Sequence, residues 1–376
     1  MTTNSADSRS TAATQVTARE NLLDLEPAAA EALIAATFAE WGEPSYRTGQ
    51  VLRRLWVNPA GSFDEITELP AALRDRLAGR FAIPRLELVT AQRSTDGTRK
   101  FLFRLHDGQT IETVAIPEGD RMTLCISSQA GCALQCAFCA TGAMGFSRNL
   151  SVFEIAGQVR ELRLLDEDPI RATNIVFMGM GEPLMNWQAV GPVLTVLNSP
   201  SGFGIGARHI TVSTVGVLPG IEALRDRPEQ FRLAISIHAP SDELRRSLMP
   251  INVKYPLADV IEVARQFDRR VTFEYVMLGG VNDREEEANQ LAELAHRCRA
   301  FVNLIPLHPG GSLGFRPTPQ NEIRGFANRL RAHGVEVAVR RSRGLDISAA
   351  CGQLRVERLR RRRPGRTDQD SHVEVA

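Results

Sequence analysis

The chain has 376 residues, of which 24% are charged and 43% hydrophobic, and its formal net charge is +1. That length and apolar content can bury a full core and suit one large domain with something smaller beside it. The balanced charge does not announce a polyanionic partner, and no stretch is long and apolar enough to span a bilayer, so a membrane protein is not expected. Residues 1–20 are rich in Ser, Thr and Ala without an apolar signal segment, and are expected to be a disordered leader on a cytoplasmic protein. Four of the six cysteines fall between Cys125 and Cys139, while Cys298 and Cys351 stand alone. That is a poor plan for a disulfide framework, and clustering in a reducing compartment points to metal or catalysis.

In chain order, apolar residues recur at helical spacing from Pro27 to Trp41. Ser45 is placed to cap a second helix running to about Trp56, and a third runs from Pro70 to about Phe81. Residues 21–84 therefore read as an accessory helical domain, in which Arg47, Arg53 and Arg54 are solvated helix charges. The period then changes. Leu86–Thr90, Lys100–Leu105 and Thr110–Ile116 are strand-like, with Asp96-Gly97 and Asp107-Gly108 as turns, so residues 85–117 read as an antiparallel meander linking the helical unit to the main domain. Glu112, between Ile111 and Thr113, falls at a position that alternation turns toward water.

Strands and helices alternate from Met122 onward. The strands are Met122–Ile126, Asn174–Met178, His209–Ser213, Arg232–Ser236, Thr272–Met277, Val302–Pro306 and Val335–Val339, with helical stretches between them. Repeated βα units imply parallel strands with helices outside, so the fold class is α/β and residues 118–356 are expected to form an incomplete (β/α) barrel. Residues 357–376 carry the run Arg358-Leu-Arg-Arg-Arg-Arg-Pro-Gly-Arg366 and read as a solvated, disordered basic tail.

In such a barrel the residues just after each strand meet in the site. The first strand leads to Cys132, Cys136 and Cys139 in a C-x3-C-x2-C arrangement. A zinc site wants a fourth Cys or His at matching spacing, and no second pair is present. A four-iron cluster held by three thiolates leaves one iron open for a ligand. The second strand ends in Met178-Gly-Met-Gly-Glu-Pro183, where Glu182 is a carboxylate on a constrained turn, suited to an ammonium group. The third ends at Ser213-Thr214 and the fourth at Ser236-Ile-His238, either of which could be a cofactor contact or a hydrogen-bonded core residue.

The cysteine run with Phe138 before its last Cys, followed by Gly-Glu-Pro, resembles the radical S-adenosylmethionine (SAM) enzymes. More narrowly, Ser127–Thr141, Phe177–Leu184, Ser236–Pro240 and Ala349–Leu354 resemble the RlmN/Cfr group of RNA adenine methyltransferases, and the likeness runs from about Leu22 to Leu354. The resemblance implies that Cys132, Cys136 and Cys139 bind a [4Fe–4S] cluster whose open iron is chelated by SAM. It gives Gly181, Glu182, Ser213, Ser236, Ile237 and His238 cofactor contacts. A further contact falls on His308, where the family usually has Asn.

An aromatic C2 carbon cannot attack a sulfonium methyl directly, and the family route is two-stage, using two SAM per turnover. Cys351, as a thiolate, takes a methyl from the first. A 5′-deoxyadenosyl radical from the second activates that methyl toward adenine. Cys125 matches the cysteine that forms a transient disulfide with Cys351, and Glu112 matches the proton acceptor. The Gly344–Gly352 stretch reads as a small-residue loop that carries Cys351. The implied substrate is C2 of an adenine in the peptidyl-transferase region of 23S rRNA and of the adenine after the tRNA anticodon, with a flavodoxin- or ferredoxin-like reductant as partner and no DNA. The alternatives are the C8-methylating Cfr-like branch, from which Ile111-Glu-Thr-Val and the helical unit differ, and a zinc-stabilised RNA-binding module. Cys298 matches nothing functional and reads as structural.

Overall fold

The computed structural model describes residues 19–307, 314–349 and 354. It opens with three helices, α1 (Pro27–Trp41), α2 (Tyr46–Leu55) and α3 (Ala71–Arg80), clasped by the short parallel pair β1 (Glu20–Asn21) and β2 (Phe81–Ala82). Pro27 at the first turn of α1 needs no N–H partner, and Gly42 ends the helix with φ +72°. Ser45 precedes α2 as expected but does not cap it: its backbone is already helical and its side chain makes no capping hydrogen bond.

Among the described residues the main sheet has ten strands. β3 (Glu87–Arg93), β4 (Arg99–Arg104) and β5 (Thr110–Glu118) form the expected meander, and its turns are made by Gly97 and Gly108 at φ +86° and +82°. β6 (Arg121–Cys125) pairs antiparallel with β5. A two-stranded ribbon, β7 (Gln129–Gly131) with β8 (Phe146–Asn149), then frames the short helix α4 (Ala140–Met144). α5 (Val152–Arg163) leads to β9 (Asn174–Phe177), which runs parallel to β6. The meander is thus hydrogen-bonded into the main sheet as its antiparallel flank, where the sequence suggested a separate link.

The remaining units are α6 (Trp187–Asn198), β10 (Ile210–Thr214), α7 (Leu218–Arg225), β11 (Arg232–Ser236), α8 (Asp242–Leu248), α9 (Leu257–Arg265), β12 (Thr272–Met277), α10 (Glu285–Cys298), β13 (Phe301–Pro306), α11 (Gln320–Ala332) and β14 (Val337–Val339). The sheet order is β14-β13-β12-β11-β10-β9-β6-β5-β4-β3, and among the described residues nothing pairs β3 with β14, so the barrel is incomplete, as expected. Helical crossovers join the seven strands β6 and β9 to β14, which run parallel with their C-terminal ends on one rim.

The helical unit docks on α5. Ser151 and Glu154 close a capping box at the start of that helix, and Asp24 accepts a further hydrogen bond from Phe153 N (2.8 Å). The fully buried Arg160 donates through Nε to the Leu55 carbonyl (3.1 Å), and Arg163 donates to Val57 O (3.1 Å). Trp56 packs edge-on against Phe203, 5.5 Å between ring centres. Cys298 is buried, with its thiol on the Ile261 carbonyl (3.5 Å), as its structural reading anticipates. Among the described residues no helix is long and apolar enough to cross a membrane.

Candidate functional site

A cavity opens at the C-terminal rim. Its wall includes the thiols of Cys132, Cys136 and Cys139, the Gly181–Glu182 turn after β9, Ser213 of β10, and Ser236 and His238 at the end of β11. The cysteine loop is held by backbone contacts that leave no room for side chains. Cys132 N donates to Gly145 O (2.8 Å), and a Cβ on Gly131, which sits at φ +81°, would lie 2.0 Å from that same oxygen. Ala137 N donates to Leu248 O (2.9 Å), tying the loop to the end of α8. Phe138, between the second and third cysteines, meets the His238 ring edge-on at 4.8 Å.

Burial pushes the Cys132 thiol up to about 11, and it pushes Cys136 higher still, with the neighbouring thiols and Glu182 adding to both effects. Such thiols deprotonate only when a cation offsets the charge, so the donor set fits a metal centre as ligands and does not fit a free nucleophile. Among the described residues no three His, Cys, Asp or Glu side chains converge on a point where a single metal ion would sit. Three thiols lining one cavity fit the donor set of a multi-iron cluster, in which each binds its own iron.

The Gly-x-Gly-Glu turn is packed against the cysteine ribbon. A Cβ on Gly179 would lie 2.6 Å from Ile126 O, and one on Gly181 (φ +98°) would lie 2.5 Å from Cβ of Gln129. Gln129 also accepts from Glu182 N (2.9 Å). The Glu182 carboxylate accepts from Leu184 N (3.0 Å) and Val215 N (2.9 Å), which fixes both oxygens. Burial pushes it up to about 7 against those two bonds. A carboxylate fixed in this way in the cavity wall has the geometry to receive an ammonium group.

His238 sits in the left-handed region at φ +56°, which costs energy for a non-glycine residue and turns its ring toward the cavity. Its Nδ1 accepts from Val276 N (3.1 Å), so the proton resides on Nε2, and burial holds the ring neutral by pushing its value down to about 3. Ile237, between the wall residues Ser236 and His238, is fully buried and is not itself part of the wall.

Strand register decides the rest. The matched series Lys100, Val114, Cys125 and Val176 across β4, β5, β6 and β9 continues through Thr211 of β10. Two residues further along β10 is Ser213, which is matched to Ala234, and Ser236 is matched in turn to Glu274 and Asn303. Residues matched in this way share a face, as do residues two apart on a strand. Glu112, Cys125, Ser213 and Ser236 therefore lie on one face, with Lys100, Glu274 and Asn303. Glu112 is 3% exposed, which corrects the solvent-facing expectation: from Ile111 to Ala115 β5 is buried on both faces, with Thr113 hydrogen-bonded to Gln158 of α5 and Glu112 beside Lys100.

Two further charged side chains, Glu274 and Arg245, escaped the sequence reading. Glu274 is buried in the cavity wall and accepts from Asn303 Nδ2 (2.7 Å); burial pushes its carboxyl up, and Arg340 pulls it back. Arg340, which charge alone would offer to RNA, thus acts on the barrel interior. Arg245 of α8 is 0% exposed and donates to the carbonyls of Val215, Ile237 and Tyr255 and to Asn252 Oδ1. A polar residue on a strand or a charge on a helix carries no local signal that its surroundings are apolar. His308 and Cys351 lie outside the described residues, as does the partner sulfur of any Cys125–Cys351 bond. Cys132, Cys136, Cys139 and Cys298 are free thiols.

Comparison with known proteins agrees with this arrangement. Residues 126–292 match the Radical SAM superfamily, and residues 20–83 match the ribosomal RNA large subunit methyltransferase N-terminal domain. The probable dual-specificity RNA methyltransferase RlmN of Gemmatimonas aurantiaca is 70% identical over 361 residues, spanning 96% of this chain and 100% of that protein. The dual-specificity RNA methyltransferase RlmN of Anaeromyxobacter dehalogenans is 46% identical over 334 residues, 86% of this chain and 90% of that protein. The crystal structure of a radical SAM methyltransferase from Sphaerobacter thermophilus superposes with a TM-score of 0.83 at 44% identity, covering 89% of this chain and 99% of that one. With the fold, the thiol-lined cavity and near full-length identity in agreement, the chain belongs to the RlmN family of radical SAM RNA methyltransferases.

Proposed function

We propose that the protein methylates C2 of an adenine in the peptidyl-transferase region of 23S rRNA, and C2 of the adenine following the anticodon in tRNA. The observation that carries this reading is the cavity in which three thiols face a carboxylate fixed by two backbone N–H groups. Cys132, Cys136 and Cys139 would hold a [4Fe–4S] cluster, and Glu182, on the turn opened by Gly181, would receive the ammonium of SAM. Ser213, Ser236, the Ile237 backbone and the Nε2–H of His238 would orient the rest of the cofactor, with His308 as a further hydrogen-bonding partner. When bound, the cluster supplies the electron that turns SAM into a hydrogen-abstracting carbon radical, and a one-electron protein reductant of the flavodoxin or ferredoxin class would recharge it.

The chain's own residues would carry the methyl group. Cys351, as a thiolate, takes it from the first of two SAM molecules, forming an S–C bond as the sulfonium bond breaks. After the activated carbon has joined adenine, the Cys125 thiolate attacks the Cys351 sulfur. An S–S bond forms, and the S–C bond breaks with its electron pair going to the released carbon, which takes up a proton to become the methyl group, while the unpaired electron of the adduct leaves to a one-electron acceptor of the flavodoxin or ferredoxin class. Glu112 accepts the proton that adenine gives up. Cys125 and Glu112 share the inner face of the sheet, which supports a joint role. The functional units would be the helical domain at 21–84 and the barrel at 118–356, with the meander between them.

Anaerobic incubation with reductant, SAM and an rRNA fragment, followed by nucleoside mass spectrometry, should yield 2-methyladenosine. 8-Methyladenosine as the main product would overturn the C2 assignment in favour of Cfr-like chemistry. Cys351→Ala should lose all methylation. A colourless, air-stable, zinc-loaded protein would point instead to a non-catalytic RNA-binding module.

A further inference from the structure

The inner face carries a buried lysine that neither the motifs nor the proposed chemistry uses. Lys100 of β4 is 6% exposed, and its Nζ lies 3.3 Å from Glu112 Oε1. The same ammonium donates to the carbonyl of Ser348 at 3.4 Å. Burying an ammonium costs several kcal/mol, and apolar residues of similar volume often serve stability as well as a buried ion pair does. Stability alone therefore gives Lys100 little reason to be there.

The segment that Lys100 touches leads into Cys351. It is seated on the β3–β4 hairpin by a set of independent contacts. Asp346 accepts from Ser94 Oγ (2.6 Å) and from Thr95 N (3.2 Å), while Asp96 accepts from Gly344 N (2.9 Å). Gly344, at φ +62°, lets the segment press down: a Cβ there would lie 2.7 Å from Cβ of Ala349 and 2.9 Å from Cγ2 of Thr98. Ser348, also in the left-handed region at φ +51°, is where Lys100 meets the segment, through the Ser348 carbonyl. Beyond Cys351 the chain is pinned again, where Thr141 Oγ1 donates to Leu354 O (2.8 Å), two residues after Cys139. The described residues on either side of Cys351 are thus fixed, Ser348 on the meander and Leu354 on the cysteine loop, and Cys351 follows Ser348 by three residues, a Cα span of at most about 11 Å.

We propose that Lys100 is a positioning residue that ties the Glu112 carboxylate to the Cys351 segment, so that proton acceptor and methyl carrier are held in one register. This rests on the Glu112 and Cys351 roles given above. The hairpin contacts set where the segment enters, and Lys100 sets its distance from the base. A general base contributes about 10²–10⁴-fold, and small misplacements forfeit much of that.

The test uses the cluster-loaded enzyme with SAM, reductant and rRNA fragment, comparing wild type with Lys100→Met, Lys100→Arg, Glu112→Gln and the Lys100→Met/Glu112→Gln double variant. Three quantities are read: methyl on Cys351 by peptide mass spectrometry, covalent protein–RNA adduct on denaturing gels, and 5′-deoxyadenosine formed per methyladenosine. Lys100→Met is expected to keep methyl on Cys351 while slowing adduct resolution about tenfold or more. It should also raise the 5′-deoxyadenosine ratio, with Lys100→Arg restoring both. The double variant should be no slower than Glu112→Gln alone, because Lys100 acts through Glu112. Wild-type adduct resolution in Lys100→Met, or additive losses in the double variant, would overturn the proposal. Glu112→Gln that releases product normally would instead sink the base assignment itself. If Lys100→Met does not fold, Lys100→Gln, which keeps a donor for the Ser348 carbonyl without the charge, is read by the same criteria.

Discussion

Replacing Arg245 with Met probes how the cavity floor is held. The side chain is fully buried, and it joins the turns after β10 and β11 to the α8–α9 connection. Its Nε reaches Ile237 O at 3.3 Å, and Nη1 reaches Asn252 Oδ1 at 2.6 Å and Tyr255 O at 3.4 Å. Nη2 donates to Val215 O. Burial pulls the guanidinium down to about 10, so it still carries its charge at neutral pH. Methionine would relieve the cost of burying a cation but leave four acceptors short of a donor, each worth about 1–3 kcal/mol when unsatisfied. Breaking a buried charged network on one side costs about 3–5 kcal/mol overall, and that is the expected loss in urea-unfolding free energy of the cluster-loaded protein. The damage should also reach the cofactor, because Val215 N, one residue's amide away from the lost bond, donates to Glu182. SAM affinity should fall with stability, and Arg245→Lys, which keeps the charge but not the fork of donors, should be intermediate. A stability loss under about 1 kcal/mol with unchanged SAM binding would refute the reasoning.

Other expectations follow from the same geometry. Gly181→Ala forces a Cβ to 2.5 Å from Gln129 at a φ of +98°, so SAM binding should collapse while the helical unit stays folded, as read by ligand titration and circular dichroism. Glu182 ionises near 7 before a cation arrives, so SAM should bind tightest above pH 7 and weaken about tenfold per unit below it; a flat profile between pH 6 and 8 would count against its role as ammonium receptor. For His238, whose value falls from 6.5 to about 3 on folding, the unfolded chain gains a proton that the folded one refuses as pH drops through that window. Stability should therefore fall by about 1.4 kcal/mol per unit below pH 6.5 from this residue alone, and His238→Gln should flatten that slope in urea titrations.

The local chemistry of the site is written in short segments. The spacing of Cys132, Cys136 and Cys139, the Gly-x-Gly-Glu turn and the ends of β10 and β11 are each set by a few consecutive residues, because a loop that binds through backbone and thiols needs particular glycines and cysteines at particular offsets. The alternation of strands and helices was legible for the same reason, since each amphipathic period is local.

What only the tertiary structure decided is how distant strands face one another. Glu112 reads as a solvent-facing residue in isolation, and it is the register of β4, β5 and β6 that turns it inward beside Lys100 and onto the face of Cys125. The meander reads as a separate link because hydrogen bonding between β5 and β6 leaves no trace in either strand's composition. Arg245, Glu274 and Lys100 have ordinary helix and strand surroundings in the chain. Their burial comes from partners dozens to hundreds of residues away, such as Val215 for Arg245, Asn303 for Glu274 and Ser348 for Lys100. A charge is buried only where the folded chain supplies its partners, so sequence locates the chemistry at the rim and tertiary structure selects the charges that hold it in place.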